Sequence, residues 1–524
     1  MEISMSRRAP LLTSSLLITG FLAACGEGVT YRYDSGTYAG GASDFSDTAN
    51  ADDTTGNSGT EDTSETDDGN GSTTGPEATD DGNATTSATP SFTRQVLVEA
   101  PGAAYMTATD LNGDGYNELL LTSLTLGLGW QTWSDSSIYP PIAAGAGHIL
   151  SRNGGAPTSG GMGTWTATEY FGDGDTVWFP NQSTVADVDN DGINDWIVAA
   201  GFLAAPYGQV IWFKGSTSGN GITFDTTIRS LEVPSYGDLL QWYHELVPVD
   251  IDGDGDTDFI TTNHDSTPYD EGTSRVELWL NNGVEGTASF THSVLATGYG
   301  GALFDTADLD NDGDLDIVLP QYFEDTSLVW LEQTGSNGSS WKAHTINNTT
   351  GRGFAAKVVD LDGDGNLDVV YNNHNHQASD VSDEKVMGVY WFEVPAADVI
   401  HDLTNWNDYM TVVYEGFQVV ATDPNSSGAP GVFDVHDVDG DGDQDITMSG
   451  DGDEGLYLFI QNDGNVFEPL TLATGMQQAG TQVLFDIDLD GDQDIVWAVF
   501  GDWTAESALT EWTPDSAVYA FIQQ

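Results

Sequence analysis

The sequence predicts an all-β protein, a seven-bladed β-propeller over residues 91–524, preceded by an export signal and an acidic linker. Three observations carry the prediction. Sixty-two glycines and 18 prolines in 524 residues call for many turns, hence strands in place of long helices. A nine-residue acidic pattern occurs seven times between Asp110 and Asp486, about every 63 residues, the length of one multi-stranded repeat unit. The chain is also 39% hydrophobic and 10% aromatic, enough for a large core despite its charge.

That charge bounds function. Asp and Glu number 83 against 12 Lys and Arg, a formal charge of −71. Nucleic acid and anionic membrane are thereby excluded as electrostatic partners. Bound cations become the first explanation to test.

The seven copies read DLNGDGYNE, DVDNDGIND, DIDGDGDTD, DLDNDGDLD, DLDGDGNLD, DVDGDGDQD and DIDLDGDQD. Each puts a carboxylate or amide at positions 1, 3, 5 and 9 and glycine at position 6. The candidate metal ligands are Asp110, Asn112, Asp114 and Glu118 in the first copy, then Asp187, Asp189, Asp191 and Asp195, then Asp250, Asp252, Asp254 and Asp258. The later copies supply Asp308, Asp310, Asp312 and Asp316, Asp360, Asp362, Asp364 and Asp368, Asp437, Asp439, Asp441 and Asp445, and Asp486, Asp488, Asp490 and Asp494. Side chains two residues apart converge on one point in a tight loop, and the glycine permits the left-handed backbone the loop needs. Position 7 varies from Tyr116 to Asp492, as expected if it offers only its backbone carbonyl. All-oxygen ligands at this density select Ca²⁺ over zinc or copper, and they are numerous for Mg²⁺. Up to seven Ca²⁺ are expected, with Asn112 and Glu118 making the first site the poorest.

Position 2 is always aliphatic (Leu111, Val188, Ile251, Leu309, Leu361, Val438, Ile487) and position 9 opens an apolar run such as DIVLP. Each loop therefore joins two buried strands. Third strands follow at VELWLNN from Val276, SLVWLEQ from Ser327 and LYLFIQN from Leu456, and fourth strands at FTHSVLATG from Phe290, WKAHTI from Trp341 and FEPLTLATG from Phe467. Contiguous calcium β-helix repeats and helix-flanked EF-hands do not match this spacing; four strands in each of seven units do match a propeller. The last unit ends at a third strand, AVYAFIQQ. FTRQVLVEAPGAA from Phe92 parallels FTHSVLATGYGGA from Phe290, so Phe92 to Glu99 is expected to supply the missing outer strand and protect the sheet edge.

With these loops and the Asn282-Gly283 turn, residues 91–524 resemble the FG-GAP/VCBS repeat family, whose members include the seven-bladed propeller heads of integrin α subunits. The resemblance implies the propeller fold and Ca²⁺ binding. The family spans adhesins, lectins, receptor heads and accessory domains of enzymes, so the implied function is broad. Integrin propellers carry calcium loops on only some blades; seven loops point to a stabilising role. If free Ca²⁺ stands about tenfold above each Kd, each site contributes roughly 1.4 kcal/mol.

At the amino end, Arg7 and Arg8 precede an apolar run from Leu11 to Ala24, long enough for a signal peptide and short for a membrane span. The run ends in Leu22-Ala23-Ala24-Cys25, which resembles the bacterial lipobox whose cysteine is lipidated. Cys25 is the only cysteine, which leaves no internal disulfide and no Cys-ligated zinc. Residues 1–25 are read as a lipoprotein signal and 26–90 as a flexible linker, nearly devoid of apolar residues and without Lys or Arg between Arg32 and Arg94. The expected place is the bacterial cell envelope, at the outer membrane or cell surface, as an anchored monomer.

Ligand recognition is expected on the face opposite the acidic loops. The candidates there are Trp130, Trp133, Trp178, Trp242, Tyr299, Arg352, His374, His376, Trp503 and Trp512, since aromatic side chains with few charges suit sugar stacking or a protein anchor. His374 and His376 read more simply as a hydrogen-bonded pair than as a second metal site. His244-Glu245 begins an HExxH-like string that fails at Pro248, and no GxSxG elbow or phosphate loop occurs. The expected function is an adhesion or ligand-binding module for carbohydrate or protein; the alternatives are a polysaccharide lyase or glycoside hydrolase on the same scaffold and a purely structural envelope component.

Overall fold

The structure is a computed structural model that describes residues 89–524 apart from 125–143, 155–160, 173, 202–207, 232–241, 265–273, 323–325, 375–386, 418–428, 452–454, 463, 475, 477–478 and 502–515. The expected signal, Cys25 and nearly all of the linker lie outside the described residues.

The strands form seven four-stranded antiparallel sheets, the blades of a propeller. Blade I is Ala103–Thr109, Glu118–Ser123, Ala146–Asn153 and Thr164–Phe171. Blade II is Pro180–Ala186, Asp195–Ala200, Gln209–Phe213 and the two-residue Arg229–Ser230. Blade III is Trp242–Val249, Asp258–His264, Arg275–Asn281 and Phe290–Thr297. Blade IV is Asp305–Ala307, Asp316–Pro320, Leu328–Gly335 and Ser340–Asn347. Blade V is Gly353–Val359, Asp368–Asn373, Met387–Glu393 and Met410–Phe417. Blade VI is Ala429–His436, Asp445–Asp451, Leu456–Asn462 and Val466–Ala473. Blade VII takes Ala479–Phe485, Asp494–Val499 and Ala517–Gln523 from the carboxy end and Phe92–Glu99 from the amino end, with Phe92 opposite Gln523 and Glu99 opposite Ala517.

Position within the blade dictates composition. Second strands are covered on both faces by neighbouring blades, so DWIVAA and DIVWAV are buried at every residue and read as unbroken apolar runs. Outer strands such as Phe290–Thr297 alternate with solvent and carry the polar residues. The core is accordingly divided among the seams between blades: Trp196 and Phe213 pack with Leu120 between I and II, Trp330 with Tyr371 between IV and V, and Leu97 and Val518 with Leu119 between VII and I. First strands stand beside first strands of neighbouring blades and line the axis.

Two blades depart from the simple repeat. After its third strand, blade II inserts the hairpin Gly215–Ser218 and Gly221–Phe224, turned on Gly219 at φ 65°, a left-handed position that suits glycine. The hairpin sits on the acidic loop of blade I, where Ile222 N–H donates to the Leu111 carbonyl at 2.5 Å. Blade V inserts two 3-10 turns, Ile400–Asp402 and Asn407–Tyr409. Ile400 and Trp406, each 1% exposed, pin this insert into the seam with blade IV.

Candidate functional site

All seven acidic loops occupy one structural position. Each begins at the residue after a first strand, and its ninth residue opens the second strand. The aliphatic second position is buried in every copy, from Val188 at 0% to Ile251 at 6%, which plugs the loop into the blade.

The acidic positions divide their labour. The ninth residue is a staple. Asp258 Oδ2 accepts from the Ile251 N–H at 3.0 Å and Oδ1 from the third-strand Asn281 N–H at 2.7 Å. Asp316, Asp445 and Asp494 repeat both bonds with Leu309 and Gln333, Val438 and Gln461, and Ile487 and Gln523. Position 1 folds the loop: Asp308 accepts from the N–H of Asp312 and of Gly313, both at 3.0 Å. Position 5 accepts from the N–H two residues on, as Asp254 does from Asp256 at 2.9 Å. Convergence follows, with one carboxylate oxygen from each of Asp250, Asp252 and Asp254 within 4.8 Å of the others; Asp308, Asp310 and Asp312 repeat this, as do Asp187, Asp189 and Asp195, and Asp360, Asp362 and Asp368.

The glycine at position 6 is left-handed in every copy, from φ 83° at Gly192 to 109° at Gly491. Position 4 is left-handed as well, a requirement the sequence reading missed although its signal is visible: Gly113, Asn190, Gly253, Asn311, Gly363 and Gly440 supply the residues that tolerate it. Leu489, at φ 59°, is the departure.

These cages fit a calcium ion. Burial of the ninth carboxylate, with like charge from position 3 and, except at Asp316, position 5 added, pushes Asp258 and Asp494 up to about 6 and Asp316, Asp368 and Asp445 up to about 7. Their backbone bonds do not offset it. Buried oxygens also stand without any hydrogen-bond partner among the described residues, namely Oδ1 of Asp189, Asp360 and Asp488. A hard divalent cation answers both the excess charge and the open oxygens.

Two cages differ from the rest. In blade I, the Asn112 amide donates to Glu118 Oε1 at 2.6 Å, so position 3 is tied to position 9. In blade II, the Lys214 ammonium contacts Asp189 and lies 2.8 Å from Asp191. Partial burial works against its charge, and the bonds from Asp189 and Asp191 together outweigh that and raise its pKa. This cage already contains a cation from the chain.

Of the candidates on the opposite face, Trp130, Trp133, His376, Trp503, Trp512 and the side chain of Trp242 lie outside the described residues. Trp178 and Tyr299 are half-buried, and Tyr299 packs on the seam between blades III and IV. Arg352 donates to the Tyr322 carbonyl at 3.2 Å. His374 is fully buried, its ring 5.0 Å from Phe354 and 5.5 Å from Tyr322, a packed position and not an exposed one.

The first strands place a second polar group on the axis that the sequence reading did not single out. Lys357 Nζ is 3.8 Å from Asp434 Oδ1, and His436 Nε2 is 3.0 Å from Asp434 Oδ2. Asp305 accepts from the Val358 N–H at 2.9 Å, and Glu245 accepts from the Phe304 N–H at 2.5 Å. Burial pushes Glu245 up to about 8, while burial of Asp434 is outweighed by His436 and Lys357, which hold it low. The side chains of Lys357 and Asp434 remain 42% and 31% exposed, so water reaches them. These residues stand on the first strands of four separate blades, III to VI, and no spacing in the sequence connects them.

The family model for the FG-GAP-like repeat matches residues 250–319. Comparison with curated proteins by sequence finds no match. Among solved structures, the rhamnogalacturonan lyase YesW is 13% identical over 82% of this chain and 75% of its own, with a TM-score of 0.40. The alpha-L-arabinanase of Penicillium chrysogenum, complexed with arabinobiose, is 13% identical over 83% of this chain and 98% of its own, with a TM-score of 0.39. A luciferin-regenerating enzyme is 6% identical over 82% and 95%, with a TM-score of 0.36. At such values these likenesses carry no argument for an activity. Residues 250–319, which run from the acidic loop of blade III into the second strand of blade IV, are an FG-GAP-like repeat, and the chain that carries them is a seven-bladed β-propeller.

Proposed function

We propose that this chain is a calcium-stabilised binding module of the bacterial cell envelope, anchored through Cys25 and held off the lipid by residues 26–90, with an extracellular carbohydrate or protein as its ligand. The observation that carries it is the repeated cage: buried carboxylates with open oxygens and raised pKa values at one end of the blades. Calcium there would supply the positive charge that locks each first strand to its second, leaving the other end to vary. Trp178, Tyr299 and Arg352 support placing the ligand at that other end. A glycan array, read in Ca²⁺ and in EDTA, tests the reading: saturable, calcium-dependent binding without change to the glycan is expected. Binding that is absent in both, with protein partners also absent from pull-downs, would overturn it.

One observation favours the enzymatic alternative. On the axis, Asp434 lies beside Lys357 and His436 and is held ionised where water reaches it, a carboxylate of the kind acid/base chemistry uses. New reducing ends or unsaturated uronates from a polysaccharide, lost in Asp434→Asn, would establish a hydrolase or lyase in its place.

A further inference from the structure

The insert of blade V brings His401 onto blade IV, and the groups it meets there form a constellation that shares only Asp310 with the acidic loop of that blade. His401 Nε2 lies 3.1 Å from Asp310 Oδ2 and 3.3 Å from Glu332 Oε1. Glu332 Oε2 is in turn 2.5 Å from His344 Nε2. One ligand atom from each of Asp310, Glu332 and His401 lies within 4.8 Å of the other two. Trp330 forms the floor, with the His344 ring stacked on it at 4.5 Å and the His401 ring at 5.6 Å. The surroundings hold the parts still: Ile400 anchors the 3-10 turn in the core, and His344 stands opposite Trp330 on the neighbouring strand, diagonal to Glu332.

We propose that Asp310, Glu332 and His401 bind a divalent first-row transition ion of the Zn²⁺ kind, with His344 orienting Glu332 or completing the set. Metal–ligand bonds of about 2.0–2.2 Å place neighbouring ligand atoms about 3.0–3.5 Å apart around a six- or four-coordinate ion, and the two His401 distances fall in that range. A hydrogen-bond network accounts for the arrangement less well. A single Nε2–H aims at one acceptor, yet two carboxylate oxygens, one from the acidic loop and one from the third strand, flank this nitrogen at near-equal range. Those carboxylates are only 4% and 13% exposed, and Lys342, at 3.6 Å from Glu332 Oε2, is itself 57% exposed. Mixed imidazole and carboxylate donors select a transition ion where the all-oxygen loops select calcium. Asp310 belongs to both: its Oδ1 accepts from Asp312 N–H inside the loop and its Oδ2 faces His401. Loading one ion is therefore expected to alter the affinity of the blade IV loop for the other.

The test uses the exported chain in saturating Ca²⁺, so that the loops are filled, with Co²⁺ titrated as a spectroscopic probe. One Co²⁺ per chain with a visible ligand-field band, displaced by Zn²⁺, is expected. His401→Ala should abolish the band, and His344→Ala should weaken binding roughly tenfold or more, as loss of an orienting group does. Glu332→Gln, which keeps the shape and removes the charge, should weaken it as well, and guards against a folding defect in His401→Ala. No saturable band, a band that Ca²⁺ removes, or a band that survives both His401→Ala and Glu332→Gln overturns the assignment. The outcome is separable from the calcium reading, because a failure of the loops to bind Ca²⁺ leaves the dependence on His401 intact.

Discussion

Leu489 carries the plainest residue-level cost in the loops. A left-handed leucine loses roughly 1–2 kcal/mol to the clash of its Cβ with the backbone, and the equivalent position elsewhere is Gly or Asn. Leu489→Gly is expected to raise stability by about 1 kcal/mol after glycine's own entropy is subtracted, read as an upward shift in thermal midpoint. Lys214→Met should open the blade II cage to a metal, so that calcium counted per chain by metal analysis rises by one; an unchanged count would mean that the lysine does not exclude the ion. The staple carboxylates set a pH dependence. Their folded values of about 6 and about 7 exceed the ordinary 3.8, so the metal-free native state binds more protons than the unfolded chain between those limits, and its stability falls as pH rises. Melts in EDTA should therefore drop between about pH 4 and pH 7, and Ca²⁺ should remove the drop.

How much of this was legible follows from range. Positions 1, 3, 5, 6 and 9 lie within nine residues, where a loop's geometry is written locally. Lys214 reaches Asp189 from 25 residues away and His401 reaches Asp310 from another blade; only the packing of an insert brings them together, and no local pattern records it. Glu245 read as the start of a failed motif, and its meaning came from burial on the axis.

At the scale of elements, blade VII is built from both ends of the chain, with Phe92–Glu99 hydrogen-bonded to Ala517–Gln523 and Leu97 in the seam between VII and I. That strand was readable because Phe92 onward parallels the fourth strand from Phe290. The two-residue outer strand of blade II and the 3-10 turns of blade V were not, since each follows from an insertion specific to one blade. Deleting residues 92–99 would bare the edge of Ala517–Gln523 and uncover apolar seam residues. The expected result is a lowered melting point with concentration-dependent association in light scattering; a monomer of unchanged stability would contradict the role of this strand.

Across the whole molecule, the charge of −71 separates into +1 over residues 1–25, −13 over residues 26–90 and −59 over residues 91–524, where 68 acids face nine bases. The four ligand positions of the seven loops hold 27 carboxylates, and seven Ca²⁺ would return only part of that charge. The remainder fits a surface adapted to high ionic strength, where repulsion is screened. The central claim is that the acidic loops are cation cages on which the fold depends. Scanning calorimetry of the propeller in saturating Ca²⁺ and in EDTA, at neutral pH and fixed salt, tests it most directly. A steep fall of the melting temperature in EDTA, restored by Ca²⁺, is the predicted result; the same melt in both conditions would contradict it.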